Sequence, residues 1–144
     1  MAADTPAVSP LRSVVAVAAG LVVFRLLVTV METALVGALS EAPITTEAEY
    51  FAVRNQPAVL AGSLAYYSVA ALLAGTLLAR IARRREVMHA MIAAAVLTST
   101  LVWGFTASEY APLTPAWLRI ALVLLTGPAM LAGAAVRAKA RSAP

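Results

Sequence analysis

Apolar residues in this chain run in four long blocks separated by short polar connections. The blocks cover about residues 11–39, 57–82, 87–107 and 115–136. Each matches or exceeds the ~20 residues an α-helix needs to cross a hydrocarbon layer ~30 Å thick. A helix that is apolar on every side is not one that water surrounds. The pattern predicts an all-α fold, an integral membrane four-helix bundle forming a single transmembrane domain over residues 1–144.

Signals at the block ends sharpen this. Residues 1–10 contain Asp4, Pro6 and Pro10 and read as a polar tail. The first block is longer than the ~7–15-residue core of a secretory signal and carries Arg25 and Glu32. It therefore reads as a retained span, although Ala38-Leu39-Ser40 is a small-residue site where cleavage would fall. Between the first two blocks, Thr46-Glu47-Ala48-Glu49 fits a capping box. It predicts a short helix over 46–54 lying at the interface, with Tyr50 and Phe51 at headgroup depth. Pro57 and Pro115 suit the first position of a helix, with Thr114 as the preceding cap. Residues 80–86 contain no Gly, Pro or Asn, so the turn there must be tight. Gly127-Pro128 predicts a kink in the fourth helix.

Composition agrees with the pattern. Of 144 residues, 62% are hydrophobic and 12% charged, and mean hydropathy is +0.86. A soluble domain is nearer a quarter charged. The net charge of +4 would suggest an anionic partner in a soluble protein, but in a membrane protein it records topology and not nucleic-acid binding. With the N-terminus inside, eight basic residues fall on that side: Arg12, Arg80, Arg83, Arg84, Arg85, Arg137, Lys139 and Arg141. Only Arg54 and Arg119 fall outside, beside Glu41, Glu47, Glu49 and Glu109. This predicts both termini cytoplasmic, in a plasma (inner) membrane. Nearly all basic residues are arginine and nearly a quarter of the chain is alanine, a bias typical of GC-rich bacterial genomes. The absence of cysteine excludes disulfides and thiolate-bound metals. The single histidine, His89, excludes bis-histidine haem ligation within one copy. No metal or cofactor is expected.

Candidate chemistry centres on Arg25, Thr29 and Glu32. Spaced at helical intervals, they share one face of the first helix. Such groups inside a bilayer are costly unless partnered, and mark function by default. They read either as a site for a substrate, proton or lipid headgroup, or as a structural pairing in which Arg25 meets a partner from another helix or subunit and Glu32 meets Arg119 or interfacial water. Ala71, Gly75 and Ala79 repeat at every fourth position and suit close helix packing. Arg80, Arg83, Arg84 and Arg85 fix topology and face anionic lipid headgroups. His89, Tyr66 and Tyr67 form a possible ligand or proton site. No nucleophile–base pair or phosphate loop appears.

The stretch from Tyr67 through Ala71, Gly75 and Ala79 to Arg85, followed by His89-Ala90, resembles small, uncharacterised bacterial four-helix integral membrane proteins. The resemblance implies a similar size and span number, and no activity.

Taken together, these features predict a non-catalytic accessory or scaffold subunit of a larger membrane complex, partnered by other membrane subunits or a second copy. A small homo-oligomeric transporter or channel using the Arg25–Glu32 face is the alternative. A membrane enzyme or quinone-binding protein using Tyr66, Tyr67 and His89 is a third reading.

Overall fold

The computed structural model describes residues 10–142. They form five helices: α1 (Pro10–Leu39), α2 (Glu47–Arg54), α3 (Pro57–Ala82), α4 (Glu86–Ala107) and α5 (Ala116–Ser142). A short 3-10 turn, Ala111–Leu113, precedes α5. No strand occurs among the described residues. Four of the helices, α1, α3, α4 and α5, are long and apolar enough to cross a membrane. The polar tail expected at residues 1–10 lies outside the described residues, except for Pro10, which opens α1.

The helix ends follow local chemistry. Thr46 caps α2: its hydroxyl accepts from the Glu49 N–H at 3.3 Å. The Glu49 carboxylate in turn accepts from the Thr45 and Thr46 backbone N–H groups at 2.7 and 3.0 Å. These bonds, the one from Thr45 first, hold the Glu49 carboxyl below its ordinary range. Helix α5 departs from expectation at both ends. Pro115 is its flanking residue, its carbonyl accepting from the Leu118 and Arg119 N–H groups. The helix then continues past residue 136 to Ser142. Hydropathy falls at Arg137, but Ala, Arg and Lys are strong helix formers, and basic residues suit the last turn. Pro128 lies within α5 without ending it.

α3 forms the centre, with 44% of its most apolar 18-residue stretch buried against 22% for those of α1 and α4. It packs on α1 and α5, while α4 closes mainly on α5 and touches α1 more lightly. Ala71, Gly75 and Ala79 all lie in the buried face of α3. A Cβ on Gly75 would sit 2.0 Å from the Met130 carbonyl oxygen, and one on Gly133 would sit 2.0 Å from that of Leu72. Two helices therefore meet backbone to backbone. The Thr76 hydroxyl lies 2.9 Å from the Leu72 carbonyl and 3.2 Å from that of Gly133.

The α3–α4 turn achieves its tightness with left-handed arginines, Arg83 at φ 58° and Arg85 at φ 50°. That conformation costs an L-residue roughly 1–2 kcal/mol. Neighbours hold it. The Arg83 N–H donates to the Ala79 carbonyl at 3.2 Å and the His89 N–H to that of Arg85 at 3.1 Å. Arg141 donates to the Arg83 carbonyl and to Glu86, and Arg12 donates to the Ile81 carbonyl at 3.0 Å. The basic ends of α1, α3 and α5 thus gather at one end of the bundle, with α2 at the other.

Candidate functional site

At the α2 end, a connection lifts the chain off α1 and returns it as α2, which lays Arg54 against Glu32. The Arg54 Nε donates to Glu32 Oε1 at 2.5 Å, and the Tyr50 hydroxyl donates to the same oxygen at 2.8 Å. Arg54 Nη1 donates to the Thr114 hydroxyl at 2.9 Å, and the guanidinium lies 5.7 Å from the centre of the Phe51 ring. Arg54 is only 7% exposed. Burial acts against its charge, but Glu32 outweighs this and raises its pKa. The Tyr50 phenol is pushed up to about 12, by burial first and then by the Glu32 charge.

Further bonds fasten α2 to the segment between α4 and α5. The Asn55 amide donates to the Leu113 carbonyl at 2.8 Å, Tyr110 donates to Glu47 at 2.9 Å, and the Phe51 and Tyr110 rings stack at 5.9 Å. The Glu47 bond is the first cause of a raised Tyr110 pKa.

Beneath α2 lies a cavity of 420 Å³. Arg25 and Glu32 line it from α1, Tyr67 from α3, Thr100, Leu101, Gly104 and Phe105 from α4, and Tyr50, Phe51 and Arg54 from α2. The structure thus brings Arg25 and Glu32 to one space. Thr29 stands exposed on α1, outside the lining.

The partner of Glu32 is Arg54, which corrects the expected pairing with Arg119 or interfacial water. Arg119 instead donates to the Phe105 carbonyl at 2.8 Å, with its Nε buried and unpartnered. Sequence reasoning missed Arg54, Tyr50 and Thr114 as site residues. The available signal was that Arg54 is the lone base in an otherwise acidic connection. Arg25 has neither a hydrogen bond nor an ion pair among the described residues.

His89 and the tyrosines are not brought together. His89 is buried in the first turn of α4, its Nδ1 2.9 Å from the Arg85 carbonyl. Leu101, on the cavity wall, is ~18 Å further along that helix at the helical rise. Tyr66 shares a 3.1 Å hydrogen bond with Ser63. Tyr67 is wedged between the Phe24 and Tyr66 rings, at 5.8 and 5.3 Å. The four arginines at 80, 83, 84 and 85 lie at the opposite end of the bundle from the cavity. No cluster of three potential metal ligands occurs among the described residues.

No protein-family model matches the chain, and no curated protein or solved structure does either. What the molecule itself defines is an all-helical chain with four helices long and apolar enough to cross a membrane. It carries a polar cavity at one end and concentrated basic charge at the other.

Proposed function

We infer that the chain is a non-catalytic accessory or scaffold subunit of a larger complex in a bacterial plasma membrane. The observation that carries this reading is Arg25. It lies midway along α1, exposed, with no counter-ion among the described residues. On translocon scales an arginine at the centre of a span costs ~2.5–3.5 kcal/mol. Such a cation calls for an anion from outside the chain. The orientation follows from charge, with the basic end cytoplasmic and both termini on that side. α2 then lies at the outer interface, where Tyr50 and Phe51 suit headgroup depth, beside the exposed Trp103 and Trp117. Arg80, Arg83, Arg84 and Arg85 face the anionic inner leaflet. Extraction in mild detergent should recover the chain with larger membrane subunits, and Arg25→Ala should loosen that association. A free monomer in both samples would overturn the reading.

The cavity favours one second reading, a small homo-oligomeric transporter or channel using the Arg25–Glu32 face. Glu32 is held by Arg54 and Tyr50, which leaves it less suited to carry a mobile ion or proton. Reconstituted flux abolished by Glu32→Gln and Arg25→Ala would establish transport. Flux indifferent to both would eliminate it.

A further inference from the structure

The cavity beneath α2 holds two side chains, Arg25 and Tyr67, whose donors are unused among the described residues, and it carries a net positive charge. Arg54 and Glu32 cancel each other across their 2.5 Å bridge, leaving Arg25 as the uncompensated charge on the lining. A second, independent observation comes from Tyr67. It is only 5% exposed, yet its phenol has no hydrogen-bond partner among the described residues. The phenol lines the cavity and lies within electrostatic reach of Glu32, Arg54 and Arg25. A guanidinium pairs best with two oxygens of one anion. Two donors from different helices, Arg25 and Tyr67, therefore face one space with no acceptor taken up among the described residues.

The rest of the lining limits what acceptor would fit. Its volume of 420 Å³ falls in the ~300–1,000 Å³ range of small-molecule sites. That is far more than one carboxylate from a neighbouring helix would fill. Leu101, Gly104 and Phe105 make one wall apolar. α1 and α4, which flank the cavity, are the two long helices with least of their span covered by the bundle.

We propose that the cavity binds the singly charged oxyanion headgroup of a membrane amphiphile, a carboxylate or a phosphate diester. Arg25 grips the anion through two N–H groups, Tyr67 donates a further hydrogen bond, and the aliphatic tail lies along α1 and α4. The proposal rests on the reading that Arg25 is neutralised from outside the chain, and it names the chemistry that does so.

The test is native mass spectrometry of the full chain in a neutral detergent. The protein is titrated separately with dioleoylphosphatidylglycerol, oleate, inorganic phosphate and dioleoylphosphatidylcholine. One-to-one adducts are expected with the phosphatidylglycerol or with oleate, and these two arms separate a phosphate from a carboxylate. Binding should exceed that of the phosphatidylcholine by on the order of tenfold, the scale of one charge-assisted hydrogen bond. Arg25→Gln and Tyr67→Phe should each weaken it, while Arg80→Gln at the far end should not. Tyr67→Phe keeps the ring and its packing, so its effect reads the hydroxyl alone. Equal binding of inorganic phosphate would remove the amphiphile from the proposal. Equal losses in all three variants would reduce it to general charge attraction. A subunit lost from the native extract in Arg25→Ala, with no amphiphile adduct on the purified chain, would overturn this inference and leave the accessory-subunit reading standing.

Discussion

Replacing Glu32 by alanine strands the Arg54 guanidinium in a place built for an ion pair. The two side chains are 14% and 8% exposed and 2.5 Å apart, so water does little to screen them. What remains to Arg54 is one hydrogen bond to Thr114 and the face of Phe51. Removing one member of a buried pair typically costs ~3–5 kcal/mol, because the other charge is left uncompensated. The Tyr50 hydroxyl loses its acceptor as well, worth about another 1 kcal/mol. Glu32→Ala should therefore destabilise the chain by ~4–6 kcal/mol, and Arg54→Ala by ~3–5 kcal/mol. The double replacement Glu32→Leu with Arg54→Met should recover most of the loss, since apolar residues of similar volume often replace buried pairs at little cost. Unfolding in mixed detergent–SDS micelles, followed by helical circular dichroism, gives the free energies. Amide exchange over residues 47–54 should accelerate in both single variants, since Glu32 is a main anchor of α2. Single costs below about 1 kcal/mol that simply add, as solvated surface pairs do, would refute the argument.

Other outcomes follow from the same structure. Gly75→Ala and Gly133→Ala each force a Cβ against a carbonyl of the facing helix at 2.0 Å. Each should cost at least ~1–3 kcal/mol in the same unfolding assay, and values within ~0.5 kcal/mol of wild type would contradict the backbone contact. Arg83→Gly or Arg85→Gly relieves a left-handed arginine and should stabilise by about 1 kcal/mol; a clear loss would mean that the side chain outweighs the strain. The docking of α2 should also depend on pH at both extremes. The lowered Glu49 pKa means its cap is complete above the ordinary glutamate range and lost as pH falls through the folded value. Tyr50, raised from 10.0 to about 12, contributes stability below its unfolded value that is lost as pH rises towards the folded one. Amide exchange in α2 across pH should reveal both edges, and Tyr50→Phe should weaken the alkaline one, the remainder coming from Tyr110 on Glu47.

The long helices were legible because each is encoded locally. Unbroken apolar runs, Pro57 at an N-terminus and the Thr46–Glu49 box specify their helices without reference to the rest of the chain. The α5 terminus was less legible because two signals separate there. Hydropathy ends at Val136, while helix propensity persists through Arg141. The shared face of Arg25 and Glu32 could be read from a spacing of two turns. The partner of Glu32 could not, because it depends on how the connection after Leu39 folds back. Charges in a sequence show what must be paired and not which residue a distant segment will present. The left-handed arginines were equally hidden, since such residues rarely adopt that conformation and only the closure of α3 onto α4 demands it.

The Arg54 bridge also imposes an order on synthesis. A chain made from its N-terminus exposes Glu32 to its surroundings 22 residues before Arg54 exists, and Arg54 itself waits a further 60 residues for Thr114. Until Arg54 emerges, α1 holds Glu32 without the base that pairs with it, in a helix whose most apolar 18-residue stretch has a mean hydropathy of 2.5. If the chain enters a membrane as proposed, its polar face is a temporary burden on the insertion machinery, relieved at the α2 end first by Arg54 and then by Thr114. Truncations ending before Arg54 should therefore remain associated with that machinery, or be degraded, while those ending beyond Thr114 are released.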